Sequence, residues 1–122
     1  MVRTATIDDT PAPVRVSVCE ARQFWADPSQ HIMGSHPDTL PDEGFHYWTD
    51  GPVCCVFHRA AWPGVWMGHY GMKREGLGGY VEPTKRILRA FADDVEAEAI
   101  IGWTSSSNRA AASFARRLGF TP

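Results

Sequence analysis

Apolar and polar positions along the chain sort into short β-prone runs through the first two-thirds and helical patterns near the end. Arg3 to Ile7 is β-prone, Asp8 to Pro13 is turn-rich, and Val14 to Trp25 reads as a candidate helix. Pro28 to Glu43 has no period and is rich in Pro, Ser, Gly, Asp and His, so it reads as an ordered loop or broken helix over a functional edge. Phe45-His46-Tyr47-Trp48 and Val53-Cys54-Cys55-Val56-Phe57 flank Asp50-Gly51, which supplies the positive φ that a tight turn requires. That pattern predicts a β-hairpin. A third run, Val65 to Tyr70, follows the Trp62-Pro63-Gly64 turn and extends it into an antiparallel meander.

Beyond the glycine-rich stretch Gly76 to Gly79, Val81, Ile87, Leu88 and Phe91 mark one face of a helix from about Pro83 to Asp93 or Asp94. Pro83 fits its first turn, where a missing N–H costs nothing. Ala99-Ile100-Ile101-Gly102-Trp103 reads as a short buried strand. Ser105 to Asn108 supply N-cap candidates for a last helix over 109–118, closed by Gly119.

Composition narrows the classes. A chain of 122 residues accommodates one domain, and 43% hydrophobic with 21% charged residues is a globular balance. A net charge of −2 and the lack of any long Lys or Arg run argue against a nucleic-acid or membrane-surface partner. Three cysteines, Cys19, Cys54 and Cys55, show no C-x-x-C spacing and point to a reducing compartment. With neither a signal-peptide pattern nor an apolar run of about 20 residues, a soluble, cytoplasmic protein is expected.

The chemistry concentrates where the third run meets the glycines. A strand, the loop Met72-Lys73-Arg74-Glu75-Gly76-Leu77-Gly78-Gly79 and a helix can hold a pyrophosphate, because glycines admit the phosphates to the backbone and the helix N-terminus favours their charge. Taken alone, the same unit reads more readily as an ordinary glycine-rich turn before a helix. A dinucleotide-binding alternative requires a parallel strand–helix–strand unit, whereas antiparallel strands precede this loop.

From about Gly51 to Phe120 the sequence resembles the C-terminal part of a GNAT N-acetyltransferase, whose loop reads Q/R-x-x-G-x-G/A and whose last helix reads N-x-x-A, an aromatic, then G-F. Here these are Lys73-Arg74-Glu75-Gly76-Leu77-Gly78, and Asn108-Arg109-Ala110-Ala111 through Phe114 to Leu118-Gly119-Phe120. His69-Tyr70-Gly71 before a short loop is also similar to small GNAT-like proteins of phages and prophages. The resemblance implies an α+β, three-layer fold: a mostly antiparallel mixed sheet flanked by helices and splayed between its fourth and fifth strands.

It further implies acetyl-CoA as co-substrate and a primary amine of a small molecule or protein as acceptor, in a monomer or homodimer. Tyr70, Gly71 and Met72 then contact the pantetheine through their backbone. Lys73, Arg74, Glu75, Gly76, Leu77, Gly78 and Gly79 cradle the pyrophosphate, while Asn108 and Phe114 complete the cofactor side. Two features depart from the family pattern. The loop runs straight from strand to glycines with Lys73 at the Q/R position, and Ala115 stands where many members carry a general-acid Tyr. The substitutes are His69 as base and Tyr70 as acid, and strand alternation allows only one of them to face the cleft. Plainer readings stand beside them: His69 as a strand histidine bonded to a neighbour, Tyr70 as core.

Asp42 and Glu43 read as solvated loop acids, and Trp48, Trp62 and Trp66 as packing. His46, His58 and His69 lack carboxylates or thiols at ligand spacing, so no metal is expected. The rival to an enzyme is a GNAT-fold binding or structural module with weak or no catalysis.

Overall fold

The computed structural model describes residues 12–27, 36–74, 79–104 and 107–122. Arg3 to Ile7 and most of the turn-rich stretch after it lie outside the described residues, as do 28–35 of the long loop. Within that loop Pro37–Thr39 forms a 3₁₀ turn whose first free N–H, that of Asp38, is capped by the His36 side chain.

The expected helix over 14–25 is replaced by a strand and two short helical pieces. β1 (Val14–Val16) pairs antiparallel with β2 (His46–Asp50), setting Val14 opposite Thr49 and Val16 opposite Tyr47. β-branched Val14 and Val16 suit a pleated strand. Ser17 then turns the chain: its hydroxyl accepts from the Glu20 N–H and starts α1 (Val18–Ala21), which tightens into a 3₁₀ turn over Arg22–Trp25.

The hairpin forms as expected, with a shift of one residue in its turn. β2 and β3 (Val53–Arg59) are joined by Gly51-Pro52, because Asp50 is itself paired with Val53. Gly51 has φ +57 at the first central position, where a type II′ turn needs glycine. β4 (Val65–Met72) extends two residues past the expected end and pairs antiparallel with β3 from Arg59↔Trp66 to Val53↔Met72.

α2 (Val81–Val95) holds Pro83 in its first turn. It leads to β5 (Ala99–Ile101), parallel to β4, and α3 (Arg109–Leu118) follows. The described strands form one mixed sheet in the order β1-β2-β3-β4-β5.

α3 has the predicted bounds because both of its ends are specified locally. Asn108 Oδ1 accepts from the Ala111 N–H at 3.1 Å. Gly119, at φ +104, donates to Arg116 while Phe120 donates to Ala115, a Schellman closure.

β3 is buried on both faces, so its residues from Val53 to Phe57 are all apolar rather than alternating. One face gives Val53, Cys55 and Phe57 to a core with Trp66 and with Ile87 and Phe91 of α2. The Phe57 and Phe91 rings stack at 3.8 Å. The other face sets Cys54 and Val56 against Ala21, Phe24 and Trp25, with Tyr47 beside them. Cys54 and Cys55 thus point into opposite layers as free thiols. Burial pushes Cys54 up to about 12 and Cys55 well above its ordinary value, so both stay protonated and inert. Among the described residues, no helix is long and apolar enough to cross a membrane.

Candidate active site

β5 covers only the beginning of β4. Val65, Trp66 and Met67 face Ala99, Ile100 and Ile101, and no described strand pairs with Gly68–Met72 on that side. The two chains are still close where the side-chain position of Gly102 lies 4.0 Å from the Gly68 carbonyl, and Trp103 beyond is 67% exposed. Among the described residues, the backbone of Gly68–Gly71 on that edge has no strand partner, so an extended ligand can pair there.

Tyr70 stands in the open half, its ring edge-to-face with Phe114 of α3 at 5.0 Å. Burial, then Cys55, raises its hydroxyl above the ordinary tyrosine value. Tyr70 packs on the layer with α2 and α3, and Met72 packs on the same core.

His69 emerges on the opposite face. Its Nε2 lies 3.1 Å from His58 Nε2. Burial, then His58, lowers its pKa, which keeps the imidazole neutral near neutral pH. Strand alternation thus separates the two candidate catalytic side chains as expected. His46 turns away from this pair and packs against Trp66 and Phe91 at 5.2 and 5.9 Å, so the three strand histidines do not converge. Among the described residues no cluster of three metal-ligating side chains occurs.

The end of β4 is tied down on both layers. A Cβ added to Gly71 would lie 2.6 Å from the Trp25 ring and 2.9 Å from the Phe24 carbonyl, so only glycine lets the 3₁₀ turn seat there. Lys73 donates its N–H to the Pro52 carbonyl at 2.8 Å, and its ammonium sits 4.8 Å from the centre of the Phe24 ring. Arg74 pairs with Asp27 at 3.0 Å. The Tyr80 hydroxyl donates to the carbonyls of Lys73 and Arg74 at 2.8 and 3.2 Å. Since Tyr80 is also the N-cap of α2, these bonds bring the entry of the glycine loop to that helix's N-terminus.

Glu75, Gly76, Leu77 and Gly78 lie outside the described residues, and Gly79 is an exposed turn residue leading into α2. Asn108 Oδ1 is engaged as the α3 cap, which leaves its amide N–H groups to donate elsewhere. Phe114 is buried, and Ala115 is partly buried beside it. Trp66 is core, whereas Trp62 is 64% exposed.

Three features of the site were not anticipated from sequence: the His58 partner, Trp25 over Gly71, and a bidentate ion pair between Asp50 and Arg86. The pair bonds at 2.7 Å from Nε and 3.2 Å from Nη2. His58 carried a usable signal, since once β3 and β4 are aligned with Val56 opposite His69, His58 becomes a diagonal neighbour on the same face.

No protein-family model matches the sequence, and no curated protein matches it. Solved structures do match. A ribosomal-protein-alanine N-acetyltransferase from Brucella melitensis biovar Abortus 2308 superposes with a TM-score of 0.65 at 11% identity, covering 93% of each chain. An integron cassette protein from the mobile metagenome of V. cholerae superposes with a TM-score of 0.63 at 11% identity, covering 93% of this chain and 86% of its own. The chain has a GNAT-like fold: a mixed sheet flanked by helices, with a parallel β4–β5 pair that ends at Met67 and Ile101.

Proposed function

We propose that this protein is an acetyl-CoA-dependent N-acetyltransferase acting on a primary amine of a small molecule or protein. The observation that carries the reading is the edge of β4 over Gly68–Gly71, which no described strand pairs, followed by a loop entry that the Tyr80 bonds to Lys73 and Arg74 hold at the N-terminus of α2. An extended pantetheine arm can take up such backbone groups, and the helix N-terminus suits the pyrophosphate behind it. In this reading Gly71 and Met72 bind the arm through their backbone. Lys73, Arg74 and the loop 75–79 hold the phosphates, and Asn108 donates from its amide.

The thioester supplies an activated acetyl group. The amine attacks its carbonyl carbon, the C–S bond breaks, and the amine loses a proton while the departing thiolate gains one. Backbone N–H groups of the open edge stabilise the oxyanion between those events. Only one of the two β4 side chains faces the cleft. With His69 there, it accepts the amine proton and water protonates the departing thiolate; with Tyr70 there, beside Phe114, its hydroxyl stands in for the acid that Ala115 cannot supply and water takes the amine proton. A second reading, a catalytically silent binding module, is favoured by that same Ala115 and by the raised pKa of Tyr70, which makes its hydroxyl a reluctant donor.

Calorimetric titration with acetyl-CoA, followed by thiol-release assays over a panel of amines, separates the readings. Micromolar binding that is abolished by Gly76→Asp with Gly78→Asp, and thiol release with an amine, is the expected result. Binding without release on any amine selects the silent module, and no binding by wild type removes both.

A further inference from the structure

The His58–His69 contact fixes more than proximity. The ring centroids are 5.3 Å apart, the planes differ by 11°, and the two Nε2 atoms are 3.1 Å apart. Nearly coplanar rings whose nitrogens are that much closer than their centres meet edge to edge, nitrogen to nitrogen, so the contact is an N–H···N hydrogen bond. In such a bond one nitrogen carries the hydrogen and the other a lone pair.

The second nitrogen of His58 decides which. His58 Nδ1 lies 3.2 Å from the Arg59 carbonyl oxygen, and a carbonyl only accepts. Nδ1 of neutral His58 therefore holds the hydrogen, and its Nε2 is the acceptor. His69 must then donate from Nε2, which leaves the lone pair of neutral His69 on Nδ1. That atom has no hydrogen-bond partner among the described residues.

We propose that His58 is a positioning residue that locks His69 in the Nε2–H tautomer, making His69 Nδ1 the atom that accepts the amine proton, and that the pair then relays the charge. The base role rests on the acetyltransferase reading with His69, rather than Tyr70, toward the cleft; the tautomer assignment does not. As the amine proton arrives on His69 Nδ1, the Nε2 proton of His69 passes to His58 Nε2. His69 is left neutral in its other tautomer. The positive charge rests on His58, whose Nδ1–H stays on the Arg59 carbonyl and whose ring lies 4.9 Å from that of Phe45. Loss of the Nδ1 proton of His69 to solvent, with return of the Nε2 proton from His58 to His69, resets the pair. The lowered pKa of His69 accords with this, since a base must be neutral before it can accept.

The test is nitrogen NMR on the full chain labelled with ¹⁵N-histidine, recorded above neutral pH. Expected are a bare Nδ1 with protonated Nε2 for His69 and the reverse for His58. In His58→Phe the His69 signals move to a tautomer mixture. In His58→Gln, whose amide oxygen still accepts from Nε2, the wild-type His69 pattern is kept although no proton can be relayed. With an amine acceptor, His58→Phe is expected to lower kcat by about tenfold without changing KM for acetyl-CoA, and His58→Gln to fall between. A bare Nε2 on His69 in wild type overturns the proposal whatever the activity, and so does an unchanged kcat in His58→Phe. If wild type transfers no acetyl group, the base role falls with the acetyltransferase reading, while the nitrogen shifts still decide the tautomer.

Discussion

Strand β4 has two halves built on different physics. At Trp66 and Met67 it is paired on both edges, and the layer above is apolar: Phe57 and Trp66 meet Phe91 at 3.8 and 5.1 Å, with Ile100 against the same cluster. From Gly68 to Met72 β3 remains and β5 is absent. Polar ties join the apolar packing of Tyr70 and Met72 there. Asp50, Val53 and Met72 are successive partners across the sheet, so the Asp50–Arg86 pair joins α2 to the sheet at the open end. The Tyr80 hydroxyl bonds hold the loop that follows. The contrast has a physical reason. Apolar packing stabilises by filling space, whereas directional bonds hold two layers in place and leave the space between strands open.

Cutting the polar ties tests that contrast most severely. Asp50 has a fully buried side chain, whereas that of Arg86 is 32% exposed. Arg86→Ala strands a buried carboxylate and is expected to cost about 3–5 kcal/mol. Asp50→Asn leaves a guanidinium that can turn to water, and its cost is expected to be smaller. Urea unfolding of the two variants measures the asymmetry. Equal costs would mean that the ion pair is not what holds the open end.

A smaller effect comes from the glycines of β4. Alanine at Gly71 meets the Trp25 ring and the Phe24 backbone, and overpacking there is expected to cost about 1–3 kcal/mol. Alanine at Gly68 meets only side-chain atoms, Phe57 at 3.2 Å and Ile100 at 3.4 Å, which can yield by a few tenths of an ångström. Thermal denaturation should therefore rank Gly71→Ala below Gly68→Ala. The reverse order would place the tight point of the strand at the boundary rather than in the open half.

What could be read from sequence follows the same division between local and distant causes. The hairpin was legible because Gly51 supplies its own turn geometry, and α3 because Asn108 and Gly119 cap it with neighbouring atoms. Val14 to Trp25 was misread as one helix because the choice of strand for Val14–Val16 is made by its partner β2, about thirty residues away. Tyr70 and His69 were placed on opposite faces correctly, since alternation is local. Their partners, Phe114 and His58, come from elements that only the completed sheet brings near. Asp50 shows the limit clearly. It has the chemistry of a turn residue, yet it closes a strand, and its carboxylate is buried against a helix far along the chain.

The mildest test concerns Asn108, to which two separable jobs are assigned. Its Oδ1 caps α3, and its amide is the proposed donor to the pantetheine arm. Asn108→Ala removes both, and loss of the cap is expected to cost about 1 kcal/mol, a drop of a few degrees in Tm. Asn108→Asp keeps an oxygen for the Ala111 N–H and adds a negative charge that the helix N-terminus favours, so stability should hold or rise slightly. It has no amide to donate, so acetyl-CoA affinity should fall in both variants while Tm falls only in the first. Should the aspartate variant bind acetyl-CoA as tightly as wild type, Asn108 would serve the open half solely by holding α3, and through it Phe114, against Tyr70.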